Sequence, residues 1–335
     1  MQPRSAGAAD PASVGLRLDI DGTVATVTLH RPERRNAMTP GMWRGLADIG
    51  ETLPAQVRAV VVRGDGPSFS AGIDLRLFTP DGVPGEDPLA DPLSPDFGEW
   101  LAGLQAGFLW LHRPDIVSVA AVRGHALGAG FQLALACDLR VLADDAVLCM
   151  KEPTFGLVPD LAGTKPLVDI VGLPRAIEMC LTTRMVGAAE ARELRLAEAV
   201  VPAADLDAAV ADLVAALLTH DTATVRATKK LLAGAPGRTL EEQAAAERAA
   251  QAELQRERRS ASPGRLSRGS GPGCFDQQAG PMTVTTGPGG APGRSGPGGR
   301  SGGAFAAGGR ANGPHREEFT AGRRLPHACT TPGRA

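Results

Sequence analysis

The sequence predicts an α/β fold with a helical C-terminal region. Short β-branched runs alternate with helix-like segments in the first half of the chain, and the segments after residue 166 have helical patterns. Strands that alternate with helices are typical of a layered α/β core. We therefore divide the 335 residues into a disordered leader (1–13), an α/β core (14–165), a helical region (166–258) and a disordered tail (259–335).

The core elements follow from local patterns. Predicted strands, rich in β-branched residues, are "VATVTLHR" (24–31), "RAVVVRG" (58–64), "DIVSVAAVRG" (115–124) and "LRVLADD" (139–145). A Thr-Pro start and helical spacing predict a helix over 39–53, and "FQLALACD" (131–138) predicts another. The C-terminal region contains predicted helices over 166–184, 188–200, 204–218, 221–232 and 239–258.

The end of the chain has a different composition. Residues 260–335 contain 19 Gly and 9 Pro with few large apolar side chains. Such a segment buries too little apolar surface to offset the entropy of ordering, so it predicts disorder. The net charge of the tail is basic, and that of the rest of the chain is mildly acidic. This distribution of charge does not indicate a nucleic-acid-binding fold.

The cysteines and the apolar segments indicate a cytoplasmic protein. The five cysteines are scattered without metal spacing, which predicts no metal site and fits a reducing compartment. The N-terminus lacks the apolar segment of a secretory signal. Residues 115–150 form the most apolar region, but Arg123, Gln132 and Asp138 interrupt it, so we expect buried core there and no membrane association.

Two turns could present backbone N–H groups to a ligand. In "AAVRGHALGAG" (120–130) a strand, a glycine turn and a helix start follow one another. The first N–H groups of a helix have no partner within it, and small residues let a ligand approach them. "GPSFSAGIDL" (66–75) is a second such turn. The alternatives are close helix packing for the former and an ordinary strand-to-helix connection for the latter.

The stretch "MKEPTFGLVPDLAGTKPL" (150–167) holds candidate acids. Glu152 stands between an apolar run and a Pro/Gly turn, and Asp160 follows eight residues later. A carboxylate in an apolar cleft has a raised pKa and can serve as an acid or a base. The alternative is a surface turn with solvated acids.

In order and spacing, these segments resemble the crotonase superfamily, the enoyl-CoA hydratase/isomerase proteins. "VTLHRPERRNAM" resembles the family's CoA-contacting segment, "FSAGIDL" and "AAVRGHALGAGFQLALACDLRVLADDA" its two oxyanion motifs, and "EPTFGLVPDLAGTKPL" its catalytic turn. The similarity runs from about residue 16 to about 255. It implies a crotonase-like spiral of ββα units over the core, followed by helices that support oligomerisation.

The resemblance also implies a site and a ligand. A thioester carbonyl of acyl-CoA would lie between the N–H groups of Ile73 and Ala129, which would stabilise an enolate. The positions expected near CoA or the substrate are Arg31, Arg34, Arg35, Ala37, Ala71, Asp74, Leu75 and Gly128. The resemblance predicts no separate cofactor, since CoA is part of the substrate. It predicts a homotrimer or a dimer of trimers.

The sequence departs from the family at one of the two catalytic glutamates. The turn glutamate matches Glu152, but the helix glutamate matches Gln132, an amide that cannot take up a proton at neutral pH. Isomerases of the family resemble this arrangement, and Asp160 stands where dienoyl-CoA isomerases have an acid. Lys151 replaces the proline that commonly precedes the turn glutamate in the family, and Pro153 follows Glu152. The direction in which the Glu152 side chain points is therefore left open by the sequence.

The departure favours double-bond isomerisation with one glutamate base over hydration, which uses two acid–base groups. A weakly active hydratase, an acyl-CoA-binding protein without catalysis and a thioester hydrolase are the alternatives. We also expect the loop at residues 79–100 to shape the acyl pocket.

Overall fold

The computed structural model describes residues 10–261, whose strands lie in two sheets. The strands are β1 (Leu16–Asp21), β2 (Val24–Leu29), β3 (Ala59–Gly64), β4 (Val117–Val122), β5 (His125–Leu127), β6 (Leu139–Ala143), β7 (Val147–Cys149), β8 (Val186–Gly187) and β9 (Ala199–Val201). The larger sheet has the order β1-β2-β3-β4-β6-β9, and the smaller has the order β5-β7-β8. β1 pairs antiparallel with β2 in the larger sheet, β8 pairs antiparallel with β7 in the smaller one, and the other pairings are parallel.

Nine α-helices lie between and after these strands in the described residues. They are α1 (Pro40–Thr52), α2 (Phe97–Leu109), α3 (Ala129–Ala136), α4 (Thr164–Val171), α5 (Leu173–Thr182), α6 (Ala188–Glu193), α7 (Leu206–Leu217), α8 (Thr222–Gly234) and α9 (Leu240–Ala261). The predicted start of α1 is confirmed, since the Thr39 hydroxyl accepts a hydrogen bond from the N–H of Met42 and Pro40 opens the helix. This mixed α/β architecture confirms the predicted fold class.

The larger sheet is buried on both faces. Along β3, Val60 and Val62 face the main core, which α1, α2 and α3 complete, whereas Ala59 and Val61 face a second cluster beneath α7. Burial on both faces explains why β3 is a continuous apolar run. It also fixes the carboxyl end of β3, from which the chain enters the candidate turn at residues 66–75.

Tertiary pairing overrides the local pattern at one predicted helix. The segment 188–200 was predicted as helical throughout, but α6 ends at Glu193 and β9 adds parallel to β6. The carbonyl of Arg140 accepts the N–H of Glu198 at 3.0 Å, which guides the chain onto the sheet edge. The strands of the smaller sheet are too short to show a period and were not predicted.

The predicted disordered leader and tail lie mostly outside residues 10–261. Within the leader, Pro11–Val14 forms a 3₁₀ helix instead, because the Asp10 carboxylate accepts the N–H of Ala12 and caps it. At the other end, the final helix continues to residue 261, past the predicted boundary.

None of the described helices is by itself both long and apolar enough to cross a membrane. Residues 203–217 and 222–237 meet those criteria only when taken together, and the chain bends by 101° between them.

Candidate active site

Glu152 is a buried carboxylate at the end of the smaller sheet. It follows β7 and opens a 3₁₀ turn, Glu152–Phe155, which Gly156 closes with φ of 71°. Pro153 fits this turn because the first residues of a helical turn need no N–H acceptor. The side chain is 8% exposed. A Cβ atom added at Gly128 would lie 3.3 Å from Glu152 Oε1, so the carboxylate lies against the start of α3.

The amide of Gln132 holds this carboxylate. Gln132 lies on α3 and is fully buried. Its Oε1 accepts hydrogen bonds from the N–H groups of Leu161 (2.9 Å) and Gly163 (3.2 Å), while its Nε2 donates to Glu152 Oε1 at 2.6 Å. Two backbone donors on the oxygen fix which end of the amide faces Glu152.

The surroundings of Glu152 shift the pKa of its carboxyl upward. Burial raises the pKa of Glu152 above its ordinary value, and the negative charge of Asp160 raises it further, while the hydrogen bond from Gln132 lowers it. Glu152 Oε2 is buried and has no hydrogen-bond partner among the described residues. The group therefore has one oxygen held by Gln132 and one without a partner in this part of the chain.

Asp160 lies in the turn that follows Glu152. Its side chain is half-buried, and burial raises the pKa of its carboxyl. Its backbone carbonyl accepts a hydrogen bond from Gln105 Nε2 at 2.7 Å. The charge of Asp160 is close enough to raise the pKa of Glu152.

The two candidate backbone donors lie on neighbouring segments. Ile73 and Ala129 donate no backbone hydrogen bond within the described part of the chain, and Ala129 is the first residue of α3. A Cβ atom added at Gly72 would lie 2.7 Å from the Leu127 carbonyl oxygen and 3.8 Å from Ala129 N. Gly72, with φ of 92°, and Gly128, with φ of 48°, adopt conformations that favour glycine. The two turns thus pack closely beside Glu152.

Two of the predicted CoA-contacting side chains are engaged within the protein. Asp74 is buried and accepts hydrogen bonds from Arg31 (3.0 Å) and Arg76 (2.7 Å), and the bond from Arg76 lowers the pKa of its carboxyl to about 2. Arg31 also donates to the Ala37 carbonyl. These contacts fix the backbone of both turns.

The remaining predicted positions differ in exposure. Arg34, Arg35 and Leu75 are exposed, and Ala37 and Ala71 are half-buried. Their side chains remain candidates for contact with a ligand.

Asn36 organises this region but was not predicted. Its Nδ2 donates to the carbonyls of Asp65 and Ser68, and its Oδ1 accepts the N–H of Arg31. It has φ of 55°, a conformation that asparagine tolerates better than most residues. The asparagine within "RRNAM" is a sequence signal for a turn. It does not predict the backbone atoms to which Asn36 is hydrogen-bonded.

The sequence comparison decides the family. The family model described as "Enoyl-CoA hydratase/isomerase" matches residues 19–266. The chain belongs to the enoyl-CoA hydratase/isomerase family, within the crotonase superfamily. It is an enzyme of that family, whose members' reactions differ. It is 30% identical over 216 residues to the hydroxycinnamoyl-CoA hydratase-lyase of Pseudomonas fluorescens, which covers 64% of this chain and 76% of that protein.

Solved structures of the family agree with this fold. A Thermobifida fusca protein named "putative enoyl-CoA hydratase", in complex with CoA, is 56% identical and has a TM-score of 0.73 over 77% of this chain and 100% of that one. A complex of a protein of that name with acetoacetyl-CoA is 58% identical, with a TM-score of 0.72 over 75% of this chain and 98% of that one. An enoyl-CoA hydratase of Mycobacterium smegmatis is 29% identical, with a TM-score of 0.64 over 71% and 90% of the two chains.

Proposed function

We propose that this family member isomerises a double bond in an acyl-CoA thioester, with Glu152 as the single proton-transferring carboxylate. The N–H groups of Ile73 and Ala129 bind the thioester oxygen and stabilise the enolate that forms when Glu152 removes the proton. Glu152 then returns the proton to a different carbon. No separate cofactor is required, because CoA belongs to the substrate.

The single observation that carries the proposal is the environment of Glu152. One of its oxygens accepts a bond from Gln132, and the other is buried without a partner among residues 10–261. A base must be desolvated and have a free oxygen directed at the substrate. A raised pKa also suits a group that accepts and then returns a proton.

Gln132 favours isomerisation over hydration. Hydration needs one group to activate water and another to deliver a proton. The amide of Gln132 uses its oxygen on two backbone N–H groups and its nitrogen on Glu152, so it has no proton to exchange. Asp160 is the other nearby carboxyl, and its half-buried position suits a secondary influence on the charge of Glu152.

The identity of the ligand rests on the solved relatives. The Thermobifida fusca structures contain CoA and acetoacetyl-CoA, and this chain resembles them at over 55% identity. The exposed Arg34 and Arg35 follow the half-buried Arg31 in the turn beside the predicted oxyanion donors. Cationic side chains here suit the phosphates of CoA.

The experiment compares isomerisation of a 3-enoyl-CoA with hydration of a 2-enoyl-CoA by purified protein. Glu152→Gln should lower isomerisation by about 10²–10⁴-fold, the usual contribution of a general base. Glu253→Gln is the matched control, because Glu253 is exposed on α9. It should retain full activity.

Other results would identify the alternatives. Fast hydration that survives Glu152→Gln would contradict the proposal. Acyl-CoA binding in calorimetry without turnover on a broad thioester panel would indicate a binding protein. Release of free thiol would indicate thioester hydrolysis.

A further inference from the structure

A chain of hydrogen bonds connects α2 to the carboxylate of Glu152. Gln105, half-buried on α2, donates through Nε2 to the Asp160 carbonyl at 2.7 Å. The next residues of that turn, Leu161 and Gly163, donate their N–H groups to Gln132 Oε1. Gln132 Nε2 completes the connection at Glu152 Oε1.

We propose that Gln105 is a positioning residue for the proton transfer, acting on Glu152 through the turn 160–163 and Gln132. The proposal rests on the proposed function of Glu152. Gln105 lies 55 residues from Asp160 in sequence and belongs to none of the family motifs recognised in the chain.

The turn has the geometry to transmit a displacement. Its middle residue, Ala162, has φ of 64°, a strained conformation for a residue with a side chain. A Cβ atom added at Gly163 would lie 2.6 Å from Gln132 Cγ, so the backbone packs closely against the Gln132 side chain. Movement of the turn would therefore move Gln132.

The opposite end of the connection is fixed in the core. A Cβ atom added at Gly107 would lie 2.2 Å from the Trp43 carbonyl oxygen, so α2 packs with its backbone against α1. Leu104 and Phe108, on either side of Gln105 in the sequence, are buried in the main core. Gln105 thus extends from a rigid helix. Its hydrogen bond to the Asp160 carbonyl holds a turn whose backbone is strained at Ala162.

Loss of the Gln105 bond has a defined electrostatic consequence. If the turn moves, the hydrogen bond from Gln132 to Glu152 weakens. That bond lowers the pKa of Glu152, so its weakening raises the pKa further. A carboxylate displaced from its reacting position also transfers protons more slowly.

The test uses Gln105→Met, which keeps the length of the side chain but removes the donor, and Gln105→Glu, whose carboxylate cannot donate at neutral pH. In protein labelled with ¹³C at glutamate carboxyls, the Glu152 resonance is assigned by its loss in Glu152→Gln. Both variants should titrate with a higher pKa at Glu152. Isomerisation kcat should fall by about 10- to 100-fold, with KM changed much less.

Gln243→Met is the matched control. Gln243 Nε2 also donates to a backbone carbonyl of another helix, that of Leu231 at 3.4 Å, but lies outside this chain of bonds. Its variant should leave the Glu152 titration and kcat unchanged. A folded Gln105→Met or Gln105→Glu protein with an unshifted Glu152 titration overturns the proposal, whatever its activity. An inactive wild-type protein with the expected shift contradicts only the proposed reaction.

Discussion

At the scale of single residues, the proposed chemistry rests on a carboxylate held by an amide. Gln132 acts as a spacer between a backbone turn and Glu152, and each of its polar atoms is satisfied. Glu152 keeps one unpartnered, buried oxygen in the described region. A buried polar group without a partner lowers stability.

Glu152→Gln should therefore stabilise the fold at neutral pH. The folded-state pKa of Glu152 is raised, so the folded protein binds more protons than the unfolded chain between the two pKa values. Stability falls as pH rises through that window, and the variant escapes the loss. A gain of about 1 kcal/mol would raise Tm by about 2–4 °C in a domain of this size.

Calorimetric unfolding at several pH values provides the measurement. The difference between wild type and Glu152→Gln should disappear at a pH below the unfolded pKa. In the wild type, isomerisation kcat/KM should rise with pH through the raised pKa as the base ionises. If Glu152→Gln and the wild type had the same stability at every pH, the assigned desolvation of Glu152 would be contradicted.

Gln132→Glu should shift the reaction toward hydration. One carboxylate oxygen can accept the N–H groups of Leu161 and Gly163 as the amide does, and the other then faces Glu152 across a shared proton. The variant gains the second acid–base group, so the ratio of 2-enoyl-CoA hydration to 3-enoyl-CoA isomerisation should rise by about 10-fold or more. Gln243→Glu is the control, and an unchanged ratio in Gln132→Glu would mean that the residue at 132 does not select the reaction.

At the scale of elements, α8 is fastened to the core by one lysine. Lys229 Nζ donates to the carbonyls of Arg113 and Ile116, both at 2.8 Å, and to Asp138 Oδ2 at 2.6 Å. Asp138 also accepts the N–H of Ser118 on β4. The side chain of Lys229 is largely shielded from solvent, which strengthens each contact.

Lys229→Met should lower the free energy of unfolding by roughly 2–3 kcal/mol. This is less than the 3–5 kcal/mol typical of a fully buried pair, because the ion pair keeps partial contact with solvent. The change removes the donor to two carbonyls and the cation that pairs with the Asp138 carboxylate, which keeps only its bonds from Ser118. Urea unfolding measures it, and Lys230→Met, at the exposed neighbouring position, should change stability by less than about 0.5 kcal/mol. Equal effects of the two substitutions would contradict the anchoring role.

At the scale of the whole molecule, α5 presents an apolar stripe to solvent. Leu173, Ile177 and Leu181 recur at helical spacing and are 58%, 49% and 72% exposed. A contiguous exposed stripe of this kind is typical of an interaction surface. We propose that the chain self-associates, as the predicted trimer requires, with this stripe in the contact.

Leu181→Glu should then weaken the assembly, because it places a charge in an apolar contact. Light scattering coupled to size-exclusion chromatography should show a smaller mass for the variant than for the wild type. Leu240→Glu is the control, since Leu240 is 87% exposed on a different helix. A monomeric wild type, or an unchanged mass for Leu181→Glu, would contradict the proposal.

Much of this arrangement was predictable from local sequence. The Thr-Pro start gave α1, and the β-branched runs gave β2, β3, β4 and β6. The motif order placed Glu152 and Gln132 in one site, where they are in contact. The 3₁₀ turn that contains Pro153 leaves Glu152 within hydrogen-bond distance of Gln132, and the aim of Glu152 toward a substrate stays a prediction.

The unpredicted parts depend on contacts between distant residues. The segment containing β9 has a helical pattern and becomes a strand because β6 offers a free edge. Gln105 and Asn36 act through bonds to backbone atoms, which leave no sequence pattern. The engagement of Arg31 by Asp74 likewise spans 43 residues.

The pairing of β5 with β7 has a consequence for how the enzyme fails on heating. Ala129 follows the end of β5 and Glu152 follows the end of β7, with Leu127 and Cys149 in register. Adjacent strands are spaced about 4.8 Å apart by their ladder of hydrogen bonds, so the separation of the proposed donor, Ala129, from the proposed base, Glu152, is a property of the sheet rather than of a loop. Turnover should therefore be retained up to the melting transition and then disappear together with the sheet.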